Sequence, residues 1–368
     1  MSFDVIVCGQ ISLDLHPGIT HLPLNRIASP GKMFSVGALE VTTGGAVANT
    51  GLALHKIGVR AGLMTRIGDD MMGDLLTAQI RAFDPHLADL LRRIPGANTP
   101  HTLVLSPQGS DRILWHHMGT NADFSAADID DAIVAQSKIF HLGYPPYLPK
   151  LVADDGAELV EIFERVHGLG GVITALDTAV PDADTVAGQA DWPAILRRCL
   201  PYVDVFLPSI EEILFMLRRT DYDRWGASLF EHLTRDYLHQ LADELLAMGC
   251  VVAGFKLGEH GMFLKTGDNP GRLANLPINV AEWSGFAGGH PAFVAKVVGA
   301  VGAGDAAYAG FLAAMLRGMS PPDALKVACA VGACNVEAAD ASSGIPSWEA
   351  VQARLEGGWA THESRFME

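Results

Sequence analysis

The chain reads as an α/β protein: a three-layer α/β/α core around a mostly parallel sheet, with a small β-sheet lid. Three observations lead there. Short β-branched runs alternate with stretches of helical period, which is the order expected of parallel strands covered on both faces. A length of 368 residues with 49% hydrophobic and 18% charged residues can bury a large core. Two excursions, rich in proline or in alternating β residues, break the rhythm and belong outside the main sheet.

The first strand is expected at Asp4 to Gly9, a β-branched run closed by glycine. Gly45 to Gly58 carries Val47, Gly51 and Leu54 at helical spacing, with Gly58 as the stop. Further strands are expected at Lys138 to Leu142, Val172 to Asp177, Asp204 to Leu207 and Val251 to Leu257. Helical stretches at Gly156 to His167 and Ser228 to Met248 lie between them. Ligands of such sheets collect at the carboxyl ends of the strands. His16 to Leu39 is interrupted by Pro17, Pro23 and Pro30, whereas His101 to Leu105 and Arg112 to His117 form a hairpin pattern around Pro107 to Ser110. We therefore divide the chain into a core of 1–15, 40–97 and 123–368 and a lid of 16–39 and 98–122 over a strand-end site.

A formal net charge of −16 supplies no positive field for nucleic acid or an anionic bilayer, so neither is expected as a partner. The most apolar stretch, Val297 to Leu316, is broken by Asp305 and falls short of a membrane span. Five cysteines and an N-terminus without a basic-then-apolar layout point to reduced thiols in the cytoplasm. Cys329 and Cys334 lie five apart on an expected helix and do not converge on a metal.

The richest local signal is Val297 to Asp305, read as a strand and a glycine loop, followed by a helix that ends at Gly318. Small residues let backbone N–H groups approach an anion, and the helix start adds positive potential, so the place suits phosphate. Asp305 in the first turn is either a helix cap or the acceptor of a proton from a hydroxyl that attacks phosphorus. Gly302-x-Gly304-x-x-Ala307 also matches a dinucleotide fingerprint formally. Ser320-Pro321-Pro322-Asp323 has the form of another helix start, however, where that fold needs a strand. No Gly-x-x-x-x-Gly-Lys-Ser/Thr occurs in the chain.

At these residues the chain resembles the ribokinase-like (PfkB) family of carbohydrate kinases. Gly302-Ala303-Gly304-Asp305 is similar to its C-terminal signature. Gly44-Gly45-x-x-x-Asn49 through Gly58, then Gly68-Asp69-Asp70 and Gly73, is similar to its N-terminal one. Asp14, Pro208 to Glu212 and Leu257 to Gly261 fall in the family's order. The resemblance implies an ATP- and Mg2+-dependent kinase acting on a monosaccharide or related sugar, and it leaves room for a monovalent cation; separately, an exposed lid sheet can pair two subunits edge to edge, so a homodimer through the lid is expected. It makes Asp305 the base and the N–H groups of Gly302, Ala303 and Gly304 an anion hole. It also places Asp14, Gly44, Gly45 and Asn49 on the sugar, Gly258, Gly261 and Asn335 near adenine, and Glu212 at magnesium through water.

The sequence departs from the family at Ser209, where asparagine is usual, and at Gly299-Ala300-Val301, so their side-chain roles do not carry over. A nucleoside kinase of the same fold, a non-catalytic sugar or nucleotide sensor and a nicotinamide-dependent oxidoreductase are the alternatives. His116 and His117 are adjacent on a strand and face opposite sides, so at most one touches substrate. His16 and Arg112 are the other lid candidates.

Overall fold

The structure, a computed structural model, describes residues 3–110 and 112–367. Its strands are β1 (Val5–Gly9), β2 (Ser12–Gly18), β3 (Gly37–Gly44), β4 (Ala61–Gly68), β5 (Leu91–Ile94), β6 (His101–Leu105), β7 (Ile113–His117), β8 (Ile139–Gly143), β9 (Ile173–Asp177), β10 (Val205–Phe206), β11 (Val252–Lys256), β12 (Met262–Thr266) and β13 (Ala287–His290). Nine of them form one sheet in the order β13-β12-β11-β10-β9-β8-β1-β4-β5. All neighbours from β11 to β5 are parallel, and only β12 and β13 run against them.

Nine helices of eight or more residues are seen among the described residues: α1 (Ala46–Lys56), α2 (Met71–Arg81), α3 (Pro149–Gly168), α4 (Trp192–Cys199), α5 (Ile210–Leu217), α6 (Arg235–Ala247), α7 (Ala303–Leu316), α8 (Pro321–Asn335) and α9 (Trp348–Glu356). They cover the sheet on both faces because its strands are apolar on both sides. In β1, Val5 and Val7 join the core beneath α1, α7 and α8, while Ile6 and Cys8 join the one beneath α3 to α6. Helix α7 is buried almost all round. At Gly310 a side chain would meet Val331 Cβ at 3.0 Å, so the glycine sets how closely α7 and α8 approach.

The remaining strands form a separate sheet in the order β3-β2-β6-β7. Its strands reach beyond the expected 16–39 segment, since β2 starts at Ser12 and β3 ends at Gly44; Asp14 accordingly lies in the small sheet. Two other expectations need correcting. Val297 to Ala300 is not a strand. After β13 the chain leaves the sheet, Val298 N–H donates to Val336 O at 2.8 Å, and Val297 and Val298 stay 69% and 56% exposed. Ser228 to Met248 is not one helix, because Leu233 is extended and Thr234 caps a new start by accepting from Tyr237 N–H. By contrast, Ser320 caps α8 with Pro321 just inside, as its sequence implies.

Candidate active site

The carboxyl ends of the parallel strands deliver the polar side chains of the site. Gln10 follows β1, Tyr144 follows β8, and β9 and β11 end in Asp177 and Lys256. Opposite them, α7 begins at Gly302, whose left-handed φ of 73° suits glycine. Gly302 packs against the Ala341 backbone, and a side chain on Gly304 would sit 3.5 Å from Lys256 Nζ. The N–H of Ala303 donates to Ala300 O at 3.3 Å. The N–H groups of Gly302 and Gly304 find no acceptor among the described residues. Two of the three expected anion-hole donors therefore point away from internal partners.

Asp305, the third residue of α7, is 1% exposed. Its Oδ2 accepts from Asn49 Nδ2 at 3.0 Å and from the Tyr144 hydroxyl at 2.7 Å, and its Oδ1 accepts from Thr50 Oγ1 at 3.3 Å. Asn49 and Thr50 come from α1, so the structure joins an expected sugar-binding residue to the expected base across 256 positions. Burial raises the pKa of Asp305, while the nearby Lys256 ammonium and the hydrogen bonds of Tyr144 and Asn49 pull it down. The acid does not line an open cleft, as a base awaiting a hydroxyl would; it lies beneath Tyr144. That tyrosine adopts φ 61° and ψ 49°, a left-handed conformation costing a non-glycine residue roughly 1–2 kcal/mol.

Beside this cluster, Lys256 Nζ donates to Asp177 Oδ1 at 2.6 Å in a buried ion pair. Burial opposes both charges, but Asp177, Glu212 and Asp305 together keep the ammonium protonated. Asp177 Oδ2, Asn49 Oδ1 and both ring nitrogens of His141 are buried with no hydrogen-bond partner among the described residues. Glu212 Oε2 accepts from Ser209 N–H at 2.8 Å and from Thr178 Oγ1 at 2.9 Å, so one of its oxygens is committed to capping α5. Ser209 completes that capping box through its own hydroxyl. No group of three or more His, Cys, Asp or Glu among the described residues is arranged as a direct metal cage. Surface hollows of about 560 Å³ beside Arg92 and about 660 Å³ beside Asp155 are not lined by Asp305.

Asp14 accepts from Ser12 Oγ at 2.7 Å and shares a cross-strand row with Thr42, Thr102 and His116. A side chain on Gly44 would fall 2.2 Å from Asp14 Oδ2, and one on Gly45 would fall 2.1 Å from Gln10 Oε1 and 2.8 Å from Gln10 O at φ 86°, so glycine is required at position 45. His116 lies on the face of Asp14 and bonds Thr102; burial lowers its pKa and favours the neutral ring. His117 lies on the other face with its ring against His101. His16 bonds Thr42.

The three residues expected near adenine come from two elements. Gly258 and Gly261 bound the turn between β11 and β12, and Gly261 abuts the His290 carbonyl. Asn335 is fully buried and donates to Ala341 O at 2.7 Å, which ties the end of α8 to the loop behind Gly302. Sequence reasoning missed Thr50, Tyr144, Asp177 and Lys256. For Tyr144, Asp177 and Lys256 the signal available was a polar residue at or just past the end of an apolar parallel strand, for Tyr144 between glycine and two prolines.

With this geometry in hand, the family model of the "pfkB family carbohydrate kinase" matches residues 18–348. The chain belongs to the pfkB family of carbohydrate kinases. This pfkB-family chain is 23% identical over 352 residues to a 2-dehydro-3-deoxygluconokinase of Bacillus subtilis, covering 91% of this chain and 93% of that one. It is 24% identical to a probable chloroplastic fructokinase-6 of Arabidopsis thaliana, covering 95% and 82%. Its fold matches an Arabidopsis thaliana ribokinase complexed with ribose and ATP, with a TM-score of 0.73, 20% identity and 97% and 99% coverage. It also matches a putative ribokinase II from E. coli in complex with ATP and Mg2+, with a TM-score of 0.69, 17% identity and 96% and 99% coverage. The three-layer ribokinase-like architecture and the class of carbohydrate kinase stand on these matches. The oxidoreductase alternative falls with them. No helix of the described residues is long and apolar enough to cross a membrane.

Proposed function

We propose that this chain transfers the γ-phosphoryl group of ATP to a hydroxyl of a sugar or sugar acid, with Asp305 as the base. The observation that carries the reading is the carboxylate of Asp305 in the first turn of a glycine-started helix, hydrogen-bonded to Asn49 and close to the Lys256 ammonium. Asp14, Asn49 and the backbone at Gly44 and Gly45 would hold the acceptor, since paired hydroxyls suit a carboxylate with an amide that both donates and accepts. Asp305 would take the acceptor's proton as its oxygen attacks phosphorus. The free N–H groups of Gly302 and Gly304, with Lys256 beside them, would stabilise charge on the equatorial oxygens, the main demand of phosphoryl transfer. Gly258, Gly261 and Asn335 would shape the adenine side.

The donor set fits magnesium, which prefers oxygen ligands and keeps several waters: Asp177 has an unpartnered oxygen, and Glu212 lies beside it. Bound with ATP, magnesium would neutralise phosphate charge. The names of the similar proteins support a sugar or a deoxy sugar acid as acceptor. Five free, buried cysteines support a cytoplasmic setting.

The test is ADP release with Mg2+ and ATP across fructose, ribose and 2-dehydro-3-deoxygluconate, for wild type and Asp305→Asn. We expect turnover on at least one acceptor and a loss of about 10²- to 10⁴-fold in kcat in the variant. Equal turnover by both proteins would remove Asp305 from its role.

A further inference from the structure

We propose that Tyr144 occupies the seat on Asp305 that the acceptor hydroxyl must take, so that the acceptor reaches the base only by displacing the phenol and water is excluded until then. The inference rests on the kinase reading of Asp305. Asp305 is 1% exposed, and three side chains hydrogen-bond its carboxylate. Two of them, Asn49 and Thr50, are 6% and 0% exposed on α1, a helix pressed so closely on β4 that a side chain at Gly51 would overlap Leu63. They cannot yield without moving the helix. Tyr144 alone is half-buried and stands on the loop after β8.

Its hydroxyl donates to Oδ2 at 2.7 Å, the same relation an acceptor hydroxyl needs before attack. The left-handed backbone at Tyr144, held between Gly143 and Pro145, turns the ring onto the base. On binding, the acceptor O–H replaces the phenol O–H on Oδ2, and the phenol keeps its proton. During transfer the acceptor's proton passes to Asp305, the acceptor oxygen bonds to phosphorus and ADP leaves. Without Tyr144 a water can take that seat, pass its proton to Asp305 and release ADP and phosphate.

The experiment measures ADP release from Mg2+ and ATP with no sugar present, using the whole chain. Tyr144→Phe is expected to raise this hydrolysis by at least about tenfold, a modest share of what a positioned base contributes. Adding Asp305→Asn to that variant is expected to return the rate to the wild-type level, which a merely structural effect of the tyrosine would not do. Tyr144→Asn gives an independent arm, because asparagine tolerates the left-handed backbone and is too short to reach Asp305. A wild-type rate of hydrolysis in either folded variant, or failure of both to fold, overturns the role of Tyr144. Should the wild type phosphorylate no sugar of the panel, the kinase reading itself fails. Should it do so while the variants leave hydrolysis unchanged, only the tyrosine's role fails.

Discussion

In its proposed role as base, Asp305 stands in a balance between burial, the nearby Lys256 charge and its hydrogen bonds. Burial raises the pKa of the acid, and the ammonium of Lys256 with the hydrogen bonds of Tyr144 and Asn49 partly offsets this, leaving it above the ordinary 3.8. A base must be ionised to work. Activity is therefore present above the folded pKa and lost as pH falls through it, so the acid limb of kcat/KM belongs above pH 3.8. Hydrogen bonds to the charged form lower a pKa, so Tyr144→Phe is expected to move that limb to still higher pH. A kcat/KM profile with the limb at or below 3.8, or moving down in the variant, contradicts this account. At this scale Asp305 and Asn49 were legible because each sits in a dense local pattern of glycines. Tyr144, Asp177 and Lys256 were not, since nothing beside them in the chain says which strand ends will meet.

The motif Gly68-Asp69-Asp70 with Gly73 reads as a family landmark, yet its work in the structure is to begin a helix. Asp70 caps α2 by accepting from Gly73 N–H at 2.8 Å, and it also accepts from Thr99 N–H at 2.9 Å and Thr99 Oγ1 at 2.6 Å. Burial raises its pKa, but the hydrogen bonds from Thr99 and Gly73 outweigh this and lower it overall. The stability it contributes is present above the unfolded value of 3.8 and is lost as pH falls through the lowered folded value. Asp70→Ala is expected to cost about 0.5–2 kcal/mol in urea unfolding at neutral pH, with kcat unchanged. An unchanged unfolding midpoint would show that Thr99 and water replace the cap. The strand expected over Val297 to Ala300 failed at the same scale for the opposite reason: β-branched residues were present, but β13 has already ended and no neighbouring strand takes their backbone groups.

The whole molecule joins a doubly covered sheet to a four-stranded sheet that leaves large apolar side chains exposed. Leu39 and Trp115 are 56% and 61% exposed on one face, Leu114 is 60% exposed on the face of Asp14, and β7 has an unpaired edge among the described residues. Such an edge is an invitation to pairing, and a second copy of the same sheet would cover it. Light scattering is expected to return twice the 39.1 kDa chain mass, and Trp115→Asp is expected to halve it; a monomeric wild type would sink this expectation. Period and punctuation in the sequence sufficed for the alternation of β1, β8, β9, β10 and β11 with helices and for the glycine start of α7, because these depend on residues a few positions apart. Only the tertiary structure decided that α1 and β8 would enclose Asp305, that Lys256 would find Asp177, and that Asp14 would belong to the small sheet. Those outcomes depend on sheet order and on contacts between residues as many as 256 positions apart, for which no local pattern carries a signal.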